Sequence, residues 1–146
     1  MIREAKQSDL KDILQLYLFL HDINVPQESE QLRKTWDSII NDENHHLIIC
    51  EVDGKIVASC VCVIIPNLTR NVRPYAFVEN VVTHQDYRKR GYATACLNYA
   101  KQIAEDHNCY KVMLLTGSKE EATLNFYRQA GYNSVDKTAF IQWIDM

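Results

Sequence analysis

The chain has 146 residues, of which 47% are hydrophobic and 24% are charged, and its formal net charge is −3. This length predicts a single domain, residues 1–146, with an ordinary buried core. No apolar run approaches the roughly 20 residues that cross a bilayer, and the negative net charge disfavours a general nucleic-acid surface. The first residues lack the charged and apolar regions of a secretory signal. We therefore expect a cytoplasmic protein that acts on neither membranes nor nucleic acids.

Hydrophobic periodicity predicts elements in the order β-α-α-β-β-β-α-β-α-β-β. The predicted strands are about residues 1–5, 47–52, 56–65, 75–83, 111–116, 132–135 and 138–144. The predicted helices are about residues 8–25, 28–40, 91–107 and 119–130. We expect Ser8 to cap the first helix, Pro26 to end it, and Gly131 to stop the last one. Asp53-Gly54 predicts a tight hairpin between the second and third strands, and the third helix favours a parallel crossover.

A basic loop joins the fourth strand to the third helix, at Arg88-Lys89-Arg90-Gly91. The first N–H groups of a helix have no partner inside it and carry the positive end of the helix dipole. Gly91 would let an anion approach these groups closely, and Arg88 and Arg90 add full charges. The loop therefore predicts a phosphate site, with a solvated turn as the alternative.

Two motifs relate this loop to a known family. Arg-x-x-Gly-x-Ala, at positions 88, 91 and 93, resembles the acetyl-CoA pyrophosphate loop of the GCN5-related N-acetyltransferase (GNAT) superfamily, and residues 125–132 resemble a second segment of that family. The order of the predicted elements is also that of the GNAT fold. The resemblance implies an α/β (α+β) fold with a mixed, mostly antiparallel sheet of about six to seven strands and about four helices. A splayed pair of parallel strands would hold acetyl-CoA.

The resemblance also implies where acetyl-CoA binds. The pantetheine arm would pair with the backbone of Val81, Val82 and Thr83, and a bulge in that strand would free an N–H near Val82 for the thioester oxygen. Asn125 would hold the arm by a hydrogen bond. The remaining cofactor-binding positions are Arg88, Lys89, Arg90, Gly91, Tyr92, Ala93 and Thr94.

Two residues match catalytic positions of the family. A primary amine of pKa ~10.4 is neutral in roughly one molecule per 2,500 at pH 7, which costs about 4.6 kcal/mol, so a base is useful. Glu79 lies where the family often places a carboxylate that removes this proton, directly or through water. Pairing with an arginine, or exposure to solvent, is the alternative for Glu79, and His84 is a weaker candidate base in an exposed loop. Tyr127 matches the general acid that protonates the leaving thiolate, with core packing as its alternative.

Recognition of the acceptor is less legible from the sequence. Residues 79–82 and 108–112 look similar to glucosamine-6-phosphate N-acetyltransferases, whereas residues 115–118 depart from them. Arg70 and Arg73 could bind an anionic group on the acceptor, because arginine suits phosphate and carboxylate. The candidates for the acceptor pocket are Tyr17, His21, Trp36, Arg70 and Arg73.

The five cysteines are an odd number and lie among apolar residues, which predicts buried thiols in a reducing compartment. Cys60-x-Cys62 has no matching pair of ligands, so we expect no metal, and Cys96 should be core rather than a nucleophile.

We expect an N-acetyltransferase that moves acetyl from acetyl-CoA to a primary amine of a small molecule by direct attack. A protein or peptide N-acetyltransferase and a non-catalytic acyl-CoA-binding sensor module stay open as alternatives. The apolar segment 140–144 predicts a homodimer surface.

Overall fold

The computed structural model of the protein describes residues 1–145. A five-stranded sheet with the order β1-β2-β3-β4-β5 lies in a first compact unit, which ends at Leu114. The strands are β1 (Ile2–Glu4), β2 (His45–Val52), β3 (Lys55–Ile65), β4 (Tyr75–Thr83) and β5 (Val112–Leu114). The helices are α1 (Leu10–Leu16), α2 (Glu30–Asn41), the single turn α3 (Thr69–Val72), α4 (Tyr92–Asp106) and, in the second unit, α5 (Glu121–Gln129). None of the described helices is long and apolar enough to cross a membrane.

The sheet is the middle layer of the first unit. Strands β1 to β4 are antiparallel and β5 is parallel to β4. On one face of β3, Cys60 and Cys62 approach α4, with their sulfurs 3.6 Å and 3.9 Å from the carbonyl oxygens of Cys96 and Ala100. On the other face, residues of the sheet pack with α1 and α2. That core cluster consists of Ile13, Leu16, Trp36, Leu47, Ile49, Ile56, Val61 and Val82.

Local sequence signals located several elements correctly. The β4 strand has the predicted bounds, and α4 differs from the prediction by one residue at each end. Asp53 and Gly54 form the predicted hairpin turn with φ of 51° and 78°. Helix α2 begins two residues later and ends one residue later than the predicted range of about 28–40. The Oγ of Ser29, which was not predicted as a cap, accepts a hydrogen bond from the N–H of Leu32 at 3.1 Å. These elements were legible because turn and cap residues act over a few positions.

The prediction for the first helix was wrong at both ends. Ser8 does not cap it but lies in a 3-10 turn at Gln7–Asp9, and α1 begins at Leu10. Helix α1 ends at Leu16, and after a further 3-10 turn at Tyr17–Phe19 the chain leaves helical geometry well before Pro26. The β-branched residues before Pro26, and the restriction that a proline imposes on its predecessor, disfavour a continued helix.

The second unit contains α5 and lacks the two late strands that the sequence predicted. Gly131, with φ of 102°, stops α5 as expected, and the N–H of Tyr132 donates to the carbonyl of Tyr127 at 3.1 Å. After Gly131, the Oδ1 of Asn133 accepts hydrogen bonds from the N–H groups of Val135 and Asp136. These local hydrogen bonds compete with the pairing that a strand would need. No helix or strand follows within the described residues, and Phe140 and Ile144 are 92% and 90% exposed. The sheet therefore has five strands instead of six to seven.

A partly buried ion pair anchors the start of the chain. Asp9 is only 7% exposed and accepts two hydrogen bonds from Arg3, at 2.7 Å and 3.1 Å, and one from the N–H of Lys6 at 2.7 Å. Hydrogen bonding from Arg3 holds the pKa of Asp9 below its ordinary value. This interaction joins β1 to the segment that leads into α1.

We expect Asp9→Asn to lower the free energy of unfolding by about 1.5–3 kcal/mol at pH 7, because it removes the charged acceptor of these bonds. The folded-state pKa of Asp9 is depressed, so its contribution is present above the unfolded-state value near 3.8 and is lost as the pH falls through the folded value. Urea unfolding at pH 7 and pH 3 measures both effects. Glu28→Gln, which breaks an exposed pair with Arg33, is the control and should change stability by less than about 0.5 kcal/mol. Equal stability of Asp9→Asn and the unsubstituted protein at pH 7 would contradict this account.

Candidate functional site

A bulge in β4 shapes the candidate site. Val61 of β3 pairs with Glu79, whereas Ser59 pairs with Val82, so β4 takes one more residue than β3 over this stretch. Within the bulge Asn80 has φ of 54°, a left-handed conformation that asparagine tolerates better than most residues. The bulge that the family resemblance implied is therefore present. Side chains three positions apart on a regular strand point to opposite faces, but the extra residue brings Glu79 and Val82 to the same face.

The pairing of β4 with β5 ends early. The parallel register runs from Ala76 opposite Val112 to Val78 opposite Leu114. Strand β4 continues to Thr83, and no described strand pairs with residues 79–83 on the side of β5. This ending agrees with the predicted splaying of the two strands. It leaves backbone N–H and C=O groups that an extended ligand could pair with.

The basic loop leads directly into α4. Lys89 and Gly91 have left-handed φ values of 63° and 83°, and Gly91 is the residue before the helix. The N–H of Ala95 makes the first helical bond, to the carbonyl of Gly91 at 3.0 Å. The N–H groups of residues 92–94 therefore have no partner within the helix and lie at the positive end of its dipole.

The cationic side chains of this loop are exposed at its surface. Arg88, Lys89 and Arg90 all have exposed side chains, and Arg88 Nε donates to the carbonyl of Thr83 at 3.4 Å. The guanidinium of Arg90 lies 5.4 Å from the ring centre of Tyr87. These contacts keep positive charge beside the start of α4, as an anion site requires.

A cavity of about 320 Å³ lies where β2, β3 and β4 face α1 and α2. Glu79 and Asn80 contribute to its wall from the bulge. Glu79 is exposed and forms no ion pair with any residue from 1 to 145, so the structure does not show the pairing with arginine that was one alternative. The residues that line the cavity are Ile13, Tyr17, Trp36, Ile39, His45, Leu47, Val61, Val63, Glu79 and Asn80.

Two further polar groups of this cavity have shifted pKa values. Burial raises the pKa of Tyr17 to about 12, and hydrogen bonding with Asn80 only partly offsets that rise. The phenol is therefore protonated at neutral pH. Burial lowers the pKa of His45, so its imidazole is neutral at pH 7. The cavity thus combines two neutral polar rings with the carboxylate of Glu79.

The structure separates the residues that the sequence suggested for acceptor binding. Tyr17 and Trp36 line the cavity, and His21 does not. Arg73 donates from Nε and Nη2 to the carbonyls of Asn108 and Cys109, both at 3.1 Å. The other arginine stacks on an aromatic ring, with the Arg70 guanidinium 5.1 Å from the centre of Tyr110. Neither arginine lines the cavity.

His45, Asn80 and several apolar wall residues were missed by sequence reasoning. The sequence did contain one signal for the bulge. Asn80 is a polar residue in the middle of an apolar strand, and asparagine adopts left-handed backbone more readily than most residues.

His84 has a structural role in this protein. Its Nδ1 accepts the N–H of Asp86 at 3.1 Å and so caps a 3-10 turn at Gln85–Tyr87. Its ring is 4.5 Å from that of Phe19 and 5.4 Å from that of Tyr87. The expected exposure of His84 was wrong, because the side chain is half-buried in these contacts.

The second unit carries the other two residues implied by the resemblance. Asn125 and Tyr127 both lie on α5, where Asn125 is exposed and Tyr127 is half-buried. The ring of Tyr127 is 5.0 Å from that of Phe126 and 6.4 Å from that of Tyr132. Their roles stay predictions.

Three cysteines are fully buried between the sheet and α4. Cys60, Cys62 and Cys96 have no exposed surface. Burial raises the pKa of each thiol, and the values for Cys62 and Cys96 reach about 12. Such protonated thiols are suited neither to nucleophilic attack nor to binding a metal, because both functions need the thiolate. Among residues 1–145, no three His, Cys, Asp or Glu side chains are grouped as metal ligands.

Comparison with known proteins agrees with this geometry. A sequence model of the acetyltransferase (GNAT) family matches residues 10–132. The solved structure named "Putative acetyltransferase from Agrobacterium tumefaciens str. C58" is 36% identical, with a TM-score of 0.91 over 98% of this chain and 99% of that one.

Curated proteins that are similar in sequence include two N-acetyltransferases. An uncharacterized N-acetyltransferase of Methanocaldococcus jannaschii is 27% identical over 99% of this chain and 65% of its own length. A glucosamine 6-phosphate N-acetyltransferase of Trypanosoma brucei brucei is 32% identical over 58% of this chain and 55% of its own length. The matched regions thus span less than two thirds of both curated relatives.

We expect Cys60, Cys62 and Cys96 to resist Ellman's reagent at pH 8 in the folded protein, because a thiol of pKa about 12 is ionised in only about one molecule in 10⁴. Half-buried Cys109 should react first, and all five cysteines should react in urea. Absorbance at 412 nm with peptide mapping measures the order. Cys109→Ser is the control and should remove the early phase. Rapid labelling of Cys96 in the folded protein would show that this thiol is not protected.

Proposed function

Because the chain belongs to the acetyltransferase (GNAT) family, we propose that it transfers acetyl from acetyl-CoA to the primary amine of a small molecule. The observation that carries this proposal is the bulge in β4. The bulge brings the carboxylate of Glu79 into the wall of a cavity. The same strand, β4, has an edge at residues 79–83, on the side of β5, that no described strand pairs with, and it leads into the basic loop.

The residues around the loop fit acetyl-CoA as a co-substrate. The N–H groups of Tyr92, Ala93 and Thr94, with Arg88 and Arg90, would hold the pyrophosphate. The free edge at Val81 to Thr83 would pair with the amides of the pantetheine arm, as a strand edge pairs with an extended peptide. Bound acetyl-CoA supplies an activated thioester carbonyl.

Glu79 is the proposed base. An acceptor amine arrives mostly as the ammonium ion, and the exposed carboxylate of Glu79 attracts this charge and takes the proton, directly or through water. The neutral nitrogen then forms a bond to the thioester carbonyl carbon and loses its second proton to solvent. The carbon–sulfur bond breaks as the thiolate leaves. Direct attack suits a cavity whose lining contains no cysteine, and Cys60 and Cys96 are buried on the other side of the sheet with raised pKa values.

Three further roles rest on the resemblance to the family. The N–H freed near Val82 would stabilise negative charge on the thioester oxygen. Tyr127 would donate a proton to the leaving thiolate, and Asn125 would hold the pantetheine arm. Cytoplasmic location and pairing into a homodimer stay predictions. No feature of residues 1–145 favours a peptide acceptor or an acyl-CoA sensor over a small acceptor.

The test of the proposal is detection of acetylated product by mass spectrometry, with acetyl-CoA and a panel of amino sugars, amino sugar phosphates, polyamines, arylalkylamines, amino acids and peptides. Turnover of a small amine supports the proposal. Binding of acetyl-CoA without product from any amine would contradict it.

We expect Glu79→Gln to lower kcat/KM for the amine by about 10²–10⁴ at pH 7, because the amide cannot take a proton. The Kd for acetyl-CoA should not change, since the side chain of Glu79 lines the cavity proposed for the acceptor and not the strand edge proposed for acetyl-CoA. Steady-state kinetics and calorimetry measure the two quantities. Glu43→Gln, an exposed carboxylate outside the cavity, is the control. A wild-type rate for Glu79→Gln would remove the proposed base.

We expect the double variant Arg88→Ala, Arg90→Ala to raise the Kd for acetyl-CoA about 5–30-fold, because charge-assisted bonds to the pyrophosphate are lost. The loss should shrink at high salt, which screens exposed charges. Calorimetry at low and high ionic strength measures it. Lys101→Ala removes an exposed cation from a later turn of α4 and should leave the Kd unchanged. Equal effects of the two variants would show that only general charge matters.

A further inference from the structure

We infer that the acceptor is a primary amine with an apolar, aryl-sized body rather than a phosphorylated amino sugar, an inference that rests on the proposed function. The lining of the cavity described above carries it. Aliphatic or aromatic side chains dominate this lining, and they belong to Ile13, Tyr17, Trp36, Ile39, Leu47, Val61 and Val63.

The charge of the cavity selects a cation. Glu79 is the charged group of its wall, and none of the lining residues is lysine or arginine. His45, the other titratable nitrogen there, is held neutral by burial. A phosphate placed among these groups would lose its hydration and meet a carboxylate without a compensating cation. An ammonium group would instead pair with Glu79.

The two arginines of the loop before β4, Arg70 and Arg73, already make contacts elsewhere. Arg73 donates to the carbonyls of Asn108 and Cys109, and these bonds attach the loop to the end of α4. Arg70 lies over the ring of Tyr110 and belongs to a turn of left-handed backbone. Neither guanidinium lines the cavity, so neither supplies the fork that a sugar phosphate needs.

The register of the sheet gives the cavity a polar end and an apolar floor. Leu47 pairs with Val61, and Val61 pairs with Glu79, so these three positions form one row across β2, β3 and β4. Neighbouring strands lie about 4.8 Å apart, so the row extends about 10 Å from the carboxylate's strand to the apolar end. An amine nitrogen at Glu79 would place an attached ring above Val61 and Leu47, beside Trp36.

The size of the cavity also favours a compact acceptor. Its volume of about 320 Å³ is at the lower end of the roughly 300–1,000 Å³ found for small-molecule sites. A ring with a short amine arm fits this volume better than an oligosaccharide amine. We expect such a ring to bury its apolar surface against the aliphatic wall of the cavity. This burial makes the free energy of binding more favourable, and a polar sugar has little apolar surface to bury.

The first experiment compares kcat/KM for 2-phenylethylamine, glucosamine 6-phosphate and spermidine with saturating acetyl-CoA. We expect 2-phenylethylamine to exceed glucosamine 6-phosphate by about 10–100-fold, the gain from burying one aromatic group. In parallel, the emission of Trp36 reports binding without turnover. Trp143, the other tryptophan, is 65% exposed, and Trp143→Phe leaves Trp36 as the single emitter.

A matched pair of variants locates the ring. Ile39 and Ile40 are neighbours on α2, both half-buried against the same core cluster, but only Ile39 lines the cavity. Ile39→Ala should raise KM for 2-phenylethylamine about 3–10-fold without changing KM for acetyl-CoA. Ile40→Ala loses the same side-chain volume and should leave both constants unchanged. Equal increases in KM for the amine in the two variants would overturn the placement.

The outcomes separate this inference from the proposed function. Preference for 2-phenylethylamine supports both. Higher kcat/KM for glucosamine 6-phosphate or spermidine overturns the acceptor class while acetyl transfer stands. A response of Trp36 to 2-phenylethylamine without turnover of any amine upholds the ligand class of the cavity and overturns the proposed function. If 2-phenylethylamine is neither bound nor acetylated while another amine is acetylated, the inference alone is overturned. If no amine is bound or acetylated, both the inference and the proposed function are overturned.

Discussion

The extra residue in β4 determines which way the functional groups of the first unit point. Without it, Glu79 and Val82 would lie on opposite faces of the sheet, because side chains alternate along a regular strand. With it, Val82 joins the apolar cluster under α1 and α2 while Glu79 lines the cavity beside that cluster. The left-handed backbone of Asn80 is the local cost of this arrangement. A core contact and a candidate catalytic position thus depend on one irregularity.

The two faces of the sheet have different chemistry. The face toward α4 is closed and holds the thiols of Cys60 and Cys62 in a dry environment that keeps them protonated. The face toward α1 and α2 contains the cavity with the phenol of Tyr17 and the carboxylate of Glu79. Positive charge is placed elsewhere, in the loop before α4. The proposed reaction needs this separation, because a carboxylate attracts a cationic acceptor and a basic loop attracts a polyanionic co-substrate.

Sequence reasoning succeeded where structure depends on nearby residues. The Asp53-Gly54 turn, the basic loop and the bounds of β4 and α4 all follow from local patterns. The predicted late strands failed because a strand also needs a partner, which its own residues do not reveal. The contacts of Arg73 could not be predicted for a related reason, since the backbone carbonyls that it binds come close to it only after folding. The cavity itself arises from packing between segments that are distant in the sequence. For this reason only two of the five residues predicted for the acceptor pocket, Tyr17 and Trp36, line it.

The free edge of β4 has a consequence for solubility. An uninterrupted row of unpaired backbone groups would invite a strand from another molecule and start an intermolecular sheet. In this protein the row from 79 to 83 is broken by the kink at Asn80, and the exposed carboxylate of Glu79 stands at its beginning. Natural sheets use the same two devices, a bulge and a charge, to discourage self-association at their edges. The irregular strand therefore also guards the unliganded protein against polymerising through the surface that it keeps open.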